Sequence, residues 1–287
     1  MFKNYFILGS GFGLYGYLPS LIKLDKKIHL FKKYEKKILI RKDLKKYISN
    51  INFVEKINFN KIDSIIFAKR PKDQFNFVSK LKKKKFLYLE KPLSEDPKKS
   101  LQLINIIKKK KLKFNVCYLF FFVSWFKKIS AIKKRNEVSI VWNFVSKTFT
   151  QNNWKRKNLE GGGIISFYGI HFISILSYLK YSCVKSSIIK SKNKEIEWNA
   201  IFKKKKISIN LKINIKSKEQ FYIKIGKYLI YKADSPFGKI VKKRNKEDAR
   251  IKFLIKYLTS MNFLTFTKHI KIIKLWKDVT SITSYTN

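Results

Sequence analysis

Two patterns of apolar and polar residues divide this 287-residue chain near residue 115. Ahead of that point, short unbroken apolar runs alternate with stretches of helical spacing. The runs are Asn4–Leu8, Ile28–Phe31, Ile62–Ala68, Phe86–Leu89 and Leu112–Phe122. An unbroken run bounded by turn residues predicts a strand covered on both faces. Between them, Leu14–Leu24 reads as a helix bent at Pro19, and Asp73–Lys82 as a second. A third is Asp96–Lys110, where Pro97 opens the helix and Leu101, Ile104 and Ile107 share one face. Strand and helix in strict alternation predict parallel β/α units, hence a doubly wound sheet over residues 1–117.

Past the divide the pattern changes. Ile207–Ile215 alternates apolar and polar at every step, and Val138–Val145, Ile196–Phe202 and Gln220–Ile225 are further strand candidates. Alternation leaves one face wet, which predicts an open, mostly antiparallel sheet. Gly163–Leu179, Ala249–Met261 and Lys268–Lys277 carry helical spacing. The expectation is an α/β chain whose second domain, residues 118–287, is α+β, with no Gly-, Pro- or Ser-rich linker between the two.

Composition narrows the function classes. With 45% hydrophobic and 16% aromatic residues the chain can bury a large core, so global disorder is excluded. Two cysteines, Cys117 and Cys183, make neither a disulfide framework nor a zinc motif. That fits the reducing cytoplasm and a protein without a metal site. Gly161–Leu179 is uncharged and near the minimum length of a membrane span. Its three leading glycines and central His171 instead suggest a loop entering a buried helix, with no membrane span.

The formal charge of +48 invites a nucleic-acid reading. Only six of the 66 basic residues are arginine, however, and the chain is rich in Ile, Asn, Phe and Tyr. These residues share A/T-heavy codons, which points to a base-biased genome. Nucleic-acid readers depend on the bidentate guanidinium, and the lysines here are spread over the whole chain. No specific nucleic-acid partner is expected, only polyanion binding at low salt.

The chemistry begins at Gly9-Ser10-Gly11-Phe12-Gly13-Leu14, directly behind the first strand. Glycines there let the backbone approach a pyrophosphate, whose charge then rests on the next helix's N-terminus. The third glycine of a strict fingerprint would fall on Leu14, and a glycine turn in an ordinary β/α unit explains the same residues.

Four further segments, in the same order and spacing, make the chain resemble the Gfo/Idh/MocA family of NAD(P)-dependent oxidoreductases. Ala68-Lys69-Arg70-Pro71 is similar to the family's turn after the fourth strand, and Leu89-Glu90-Lys91-Pro92 to its Glu-Lys-Pro signature. Val116–Phe122 sits where members carry a strand ending in Arg-Phe, and Trp154–His171 resembles the tryptophan, glycine-triplet and histidine segment. The resemblance implies a Rossmann domain followed by an open-sheet domain. It also implies cofactor contacts from Gly9, Gly11, Phe12, Gly13, Lys32, Lys33, Lys69, Arg70, Glu90 and Lys91. Lys91 would stand beside the reacting hydroxyl, with Glu90 bracing the turn and Pro92 fixing it, through a cis bond if one forms. His171 would be the proton acceptor. The substrates implied are sugars or nucleotide-sugars, in polysaccharide or sugar biosynthesis, and the open sheet would serve a homo-oligomer.

Around the ribose position an NAD enzyme would place Asp or Glu, whereas Lys32 and Lys33 suit the 2′-phosphate of NADP. NADP is favoured over NAD, though lysine drift accounts for the same two residues. Three departures bear on activity. The aspartate expected four residues before the histidine falls on Phe167, the one three residues after it on Ser174, and the arginine on Phe121. Two readings stay open: an oxidoreductase acting on a sugar or nucleotide-sugar, and a catalytically impaired relative that binds the dinucleotide.

Overall fold

The computed structural model of the protein describes residues 2–132, 136–146, 153–239, 247–260 and 264–286. It divides into two compact units.

The first unit holds six parallel strands: β1 (Asn4–Leu8), β2 (Lys27–Phe31), β3 (Ile51–Val54), β4 (Ser64–Phe67), β5 (Phe86–Leu89) and β6 (Phe114–Val116). Their order is β3-β2-β1-β4-β5-β6. This is the doubly wound parallel sheet that the unbroken apolar runs predict. Tyr5, Phe6, Ile65, Ile66 and Leu87 are wholly buried, as strands covered on both faces must be. The direction of winding reverses between β1 and β4. In such sheets that reversal opens a crevice at the carboxyl ends of the strands.

Several features differ from expectation, beginning with β3, which has no counterpart among the predicted strands. The apolar run Leu112–Phe122 is a strand only over Phe114–Val116, followed by a 3-10 turn at Leu119–Phe122. Behind the glycines, a π-helical turn at Gly13–Tyr17 precedes an α-helix at Leu18–Ile22, where one bent helix is predicted. Finally, the chain passes between units more often than one boundary at 117/118 allows. Residues 247–260 belong with the first unit and 94–101 with the second. The helix Ile251–Thr259 explains the first exchange: Tyr257 packs edge-on to Tyr88 with ring centroids 5.7 Å apart, and the Tyr88 hydroxyl donates to the Leu258 carbonyl at 3.3 Å.

The second unit is built on a mixed, mostly antiparallel seven-stranded sheet. Its strands are β7 (Asn136–Val145), β8 (Ser182–Ser191), β9 (Lys194–Lys204), β10 (Ile207–Asn214), β11 (Lys216–Ile225), β12 (Tyr228–Ala233) and β13 (Thr283–Thr286). The order is β12-β11-β7-β10-β9-β8-β13, and only β7·β10 and β8·β13 run parallel. Alternation in β10 sends Ile207, Ile209, Leu211 and Ile213 into the core and leaves Ser208, Asn210, Lys212 and Asn214 on the other face. That second face is polar but not loose. Glu197 there is 7% exposed and accepts from Asn199, from Asn214 and from Lys212 Nζ at 2.9 Å. Although burial raises the Glu197 carboxyl, these donors hold it below the ordinary carboxylate range. The uncharged stretch 161–179 divides into a π-helical turn, Ile164–Gly169, and the helix Ile170–Tyr178. Among the described residues no helix is long and apolar enough to cross a membrane.

Candidate functional site

At the carboxyl end of β1 the glycines perform different tasks. Gly9 is buried and adopts φ +132°, and a Cβ there would lie 2.1 Å from the Ala68 carbonyl oxygen. Only glycine lets the end of β1 press against the end of β4 in this way. Gly13 is less constrained: a Cβ there would lie 3.0 Å from the Ile7 side chain, a tight contact but not one with backbone. Gly11 is exposed, and a Cβ there would meet nothing within 4 Å. Its carbonyl accepts from the Leu14 amide at 2.9 Å, which starts the helical turn. The crevice at the strand reversal is therefore walled by main chain and open at Gly11. The main chain is thus accessible at Gly11 and closed off at Gly9.

The residues around this turn are held by named partners. The Ser10 hydroxyl accepts from Lys37 Nζ at 3.2 Å, and the Tyr34 hydroxyl bonds the Gly9 backbone. Lys32 and Lys33 are exposed just beyond β2, with Lys33 Nζ 5.1 Å from the centre of the Phe31 ring. Lys69 and Arg70 are exposed beyond β4, and Arg70 turns back to Asp73 in the first turn of its helix at 3.2 Å.

Two contacts here were not foreseen. The Arg250 guanidinium stacks 4.1 Å over the Phe12 ring and is clamped by both oxygens of Asp248, at 2.8 and 2.6 Å. Arg41, paired to Asp43, lies 5.7 Å from the Tyr15 ring. The scarcity of arginine was the available signal. Two of the six flank the glycine turn, yet their positions in the chain say nothing of where they fold back.

The Glu90-Lys91-Pro92 segment follows β5, and its Lys91–Pro92 peptide is cis. Gln74, wholly buried, grips it from the helix Pro71–Lys80. The Gln74 side chain donates to the Glu90 carbonyl at 3.0 Å and to that of Leu93 at 2.9 Å, and accepts from the Glu90 amide at 2.9 Å. The Tyr17 hydroxyl donates to Glu90 Oε1 at 2.6 Å. Burial raises the Glu90 carboxyl, while Tyr17, Lys91 and Arg250 pull it back down. Glu90 is thus held through its backbone by Gln74 and through its side chain by Tyr17. No sequence signal pointed to Gln74.

In the second unit His171 lies on Ile170–Tyr178 and is 7% exposed. Its imidazole stacks on Phe120, with centroids 4.6 Å apart and planes at 21°, and Phe237 meets it edge-on at 6.3 Å. The three departures from the family pattern have packing roles. Phe167 stands edge-on to Trp154 at 5.6 Å and to Tyr168 at 4.8 Å, with Lys155 Nζ 5.4 Å from its ring. Ser174 turns its hydroxyl back to the His171 carbonyl at 2.7 Å. Phe121 packs edge-on to Phe126 and Tyr178. The structure thus brings the glycine turn, Glu90 and Lys91 into one unit and sets His171 in the other.

No family model matches the chain, and no curated protein does either. Solved structures do. The KijD10 3-ketoreductase from Actinomadura kijaniata, in complex with NADP and TDP-benzene, matches with a TM-score of 0.69 at 10% identity, over 100% of this chain and 99% of that one. The WlbA dehydrogenase from Thermus thermophilus, in complex with NAD and UDP-GlcNAcA, matches with a TM-score of 0.67 at 10% identity, over 96% and 93%. A dehydrogenase (MviM) from Clostridium difficile matches at 0.65 and 16% identity, over 98% and 99%. The chain shares the two-domain α/β fold of these dehydrogenases and reductases. At these identities the likeness establishes architecture from end to end, while chemistry must come from the residues present.

Proposed function

We propose that the protein is an NAD(P)-dependent oxidoreductase acting on a hydroxyl or carbonyl of a sugar or nucleotide-sugar. One observation carries the reading: the turn at the β1/β4 reversal is closed by main chain at Gly9 and open at Gly11. Amides around Gly11 to Gly13 would take the diphosphate, and Lys32 and Lys33 favour the 2′-phosphate of NADP over NAD. Bound there, the nicotinamide cofactor supplies the hydride acceptor or donor. Lys91 is assigned the stabilisation of developing alkoxide charge. Its turn is fixed by Gln74, so the ammonium starts from a braced backbone. His171 is assigned the proton transfer, with Phe120 setting its ring plane. The solved structures of like fold that hold nucleotide-linked ligands support the substrate class, and the ordered polar face of the second sheet supports self-association through it. A cytoplasmic setting agrees with the two thiols.

A second reading is favoured by Phe167. Its edge-on contacts with Trp154 and Tyr168 are those of a structural residue, and it can neither tune an imidazole nor orient a hydroxyl. On this reading the chain binds the dinucleotide without turning it over.

Titration with NADPH and NADH at physiological salt, followed by turnover against a panel of nucleotide-sugars, separates the two. The oxidoreductase reading expects saturable binding, preference for NADPH, and a loss of at least about a hundredfold in kcat for Lys91→Met with cofactor affinity retained. Binding without turnover establishes the second reading. Lys91→Met turning over like the parent removes Lys91 from the site.

A further inference from the structure

The second unit contains a cavity of about 440 Å³ that the functional reading has not used. It lies between the loop carrying Trp154 to Gly163 and the β8–β9 hairpin. Its charged lining is Lys155, Arg156, Lys157, Lys190, Lys194 and Glu195, five cations to one carboxylate. The carboxylate is committed to building the walls. Glu195 Oε1 accepts from Asn158 Nδ2 and Oε2 from the Ile164 amide, both at 2.7 Å, which ties the loop to the hairpin. Gly163 admits that arrangement: its φ is +82°, and a Cβ there would overlap the Asn158 side chain at 1.7 Å.

The charge is shaped as well as abundant. Arg156 is among the six arginines of a chain dominated by lysine, and its flat guanidinium matches two phosphate oxygens at once. Arg156 is half-buried at the wall of the cavity, near Tyr168 and Glu195. Ile164, Ile215 and the Tyr168 ring add an apolar wall. A volume of this size accommodates a small-molecule ligand.

We propose that this hollow is an anion site for a diphosphate group, separate from the dinucleotide turn. Its occupant is the diphosphate of a nucleotide-linked sugar. That identity rests on the oxidoreductase reading, whereas the site itself does not. Lysines 190 and 194 reach it from the hairpin, Arg156 forms the bidentate contact, and Tyr168 presents its ring to the attached sugar.

The test is isothermal titration of the full-length protein with inorganic pyrophosphate at 150 mM salt, with and without saturating NADPH. One saturable site, unchanged by NADPH and weakened at least tenfold by Arg156→Gln, is the expected result. Lys194→Gln, at an exposed strand end, gives a second arm of about threefold should Arg156→Gln fail to fold. Displacement of pyrophosphate by NADPH would place the binding at the glycine turn and overturn the proposal. So would affinity that neither substitution alters, or the absence of a saturable site. Uridine diphosphate is expected to compete for the same site. Failure to compete, with Arg156-dependent pyrophosphate binding intact, counts against the nucleotide-sugar reading and leaves the anion site standing. Failure to bind NADPH counts against the redox reading alone.

Discussion

The glycine turn of the first unit and the histidine helix of the second depart differently from the pattern they resemble. At the turn the working surface is main chain. Gly9 keeps its contact with Ala68 and Gly11 its opening, although the side chains around them are lysine and aromatic. Around His171 the pattern depends on side chains, and three of them are now Phe121, Phe167 and Ser174, each satisfied by packing or by a local hydrogen bond. A cradle of backbone amides survives composition drift because every residue except proline supplies the same N–H. A carboxylate beside an imidazole does not. On the proposed function, the contrast means that a diphosphate site at the turn and proton transfer at His171 depend on side chains to different degrees.

The strongest way to break this comparison is to put a side chain where the main chain does the work. Gly9→Ala would drive a Cβ into the Ala68 carbonyl at a φ of +132°. Strain and overpacking of this kind together cost about 3–5 kcal/mol. Chemical denaturation should show that loss, or the variant should be insoluble. A melting curve like the parent's would mean that β1 and β4 do not meet as described.

A smaller effect concerns the buried His269 of the second unit. His269, 1% exposed on Phe266–Ser281, has its pKa pushed down to about 3 by burial. Unfolded, it takes a proton near pH 6.5, so below that pH the unfolded state binds more protons than the folded one. Its contribution is whole above pH 6.5 and is lost as the pH falls toward 3, at about 1.4 kcal/mol per unit. Between pH 7 and 5 the chain should therefore lose about 2 kcal/mol through this group. His269→Leu should flatten that slope in urea denaturation. An unchanged slope would assign the acid sensitivity elsewhere.

How much of this could be read beforehand follows from the same physics. The strands β1, β4 and β5 were legible because burial on both faces demands unbroken apolar runs, and β10 because burial on one face demands alternation. Leu112–Phe122 misled because apolarity measures burial and not backbone shape. Phe120 is buried in a 3-10 turn, stacked on His171, and no strand is needed to put it there. The strands Ser182–Ser191, Tyr228–Ala233 and Thr283–Thr286 went unseen because their lysines, serines and threonines give no clean period. The site was half legible for a related reason. Glycines advertise a turn locally, whereas Gln74 and Arg250 act on partners 16 residues and more than 200 residues away in sequence, and nothing near them marks the pairing.

The finest test separates fold from binding at a single residue. Gly11 follows Gly9 by two positions and carries the same letter, yet a Cβ there meets no atom within 4 Å. Gly11→Ala should melt within about 0.5 kcal/mol of the parent, as exposed substitutions do. If the opening at Gly11 is where a diphosphate approaches the backbone, the added methyl occupies that approach. Affinity for NADPH should then fall about tenfold, equivalent to about 1.4 kcal/mol, with stability untouched. Fluorescence titration of NADPH beside a thermal melt reads both quantities on one sample. Equal affinity in parent and variant would mean that the opening faces only water, and that Gly11 is glycine for no reason of binding.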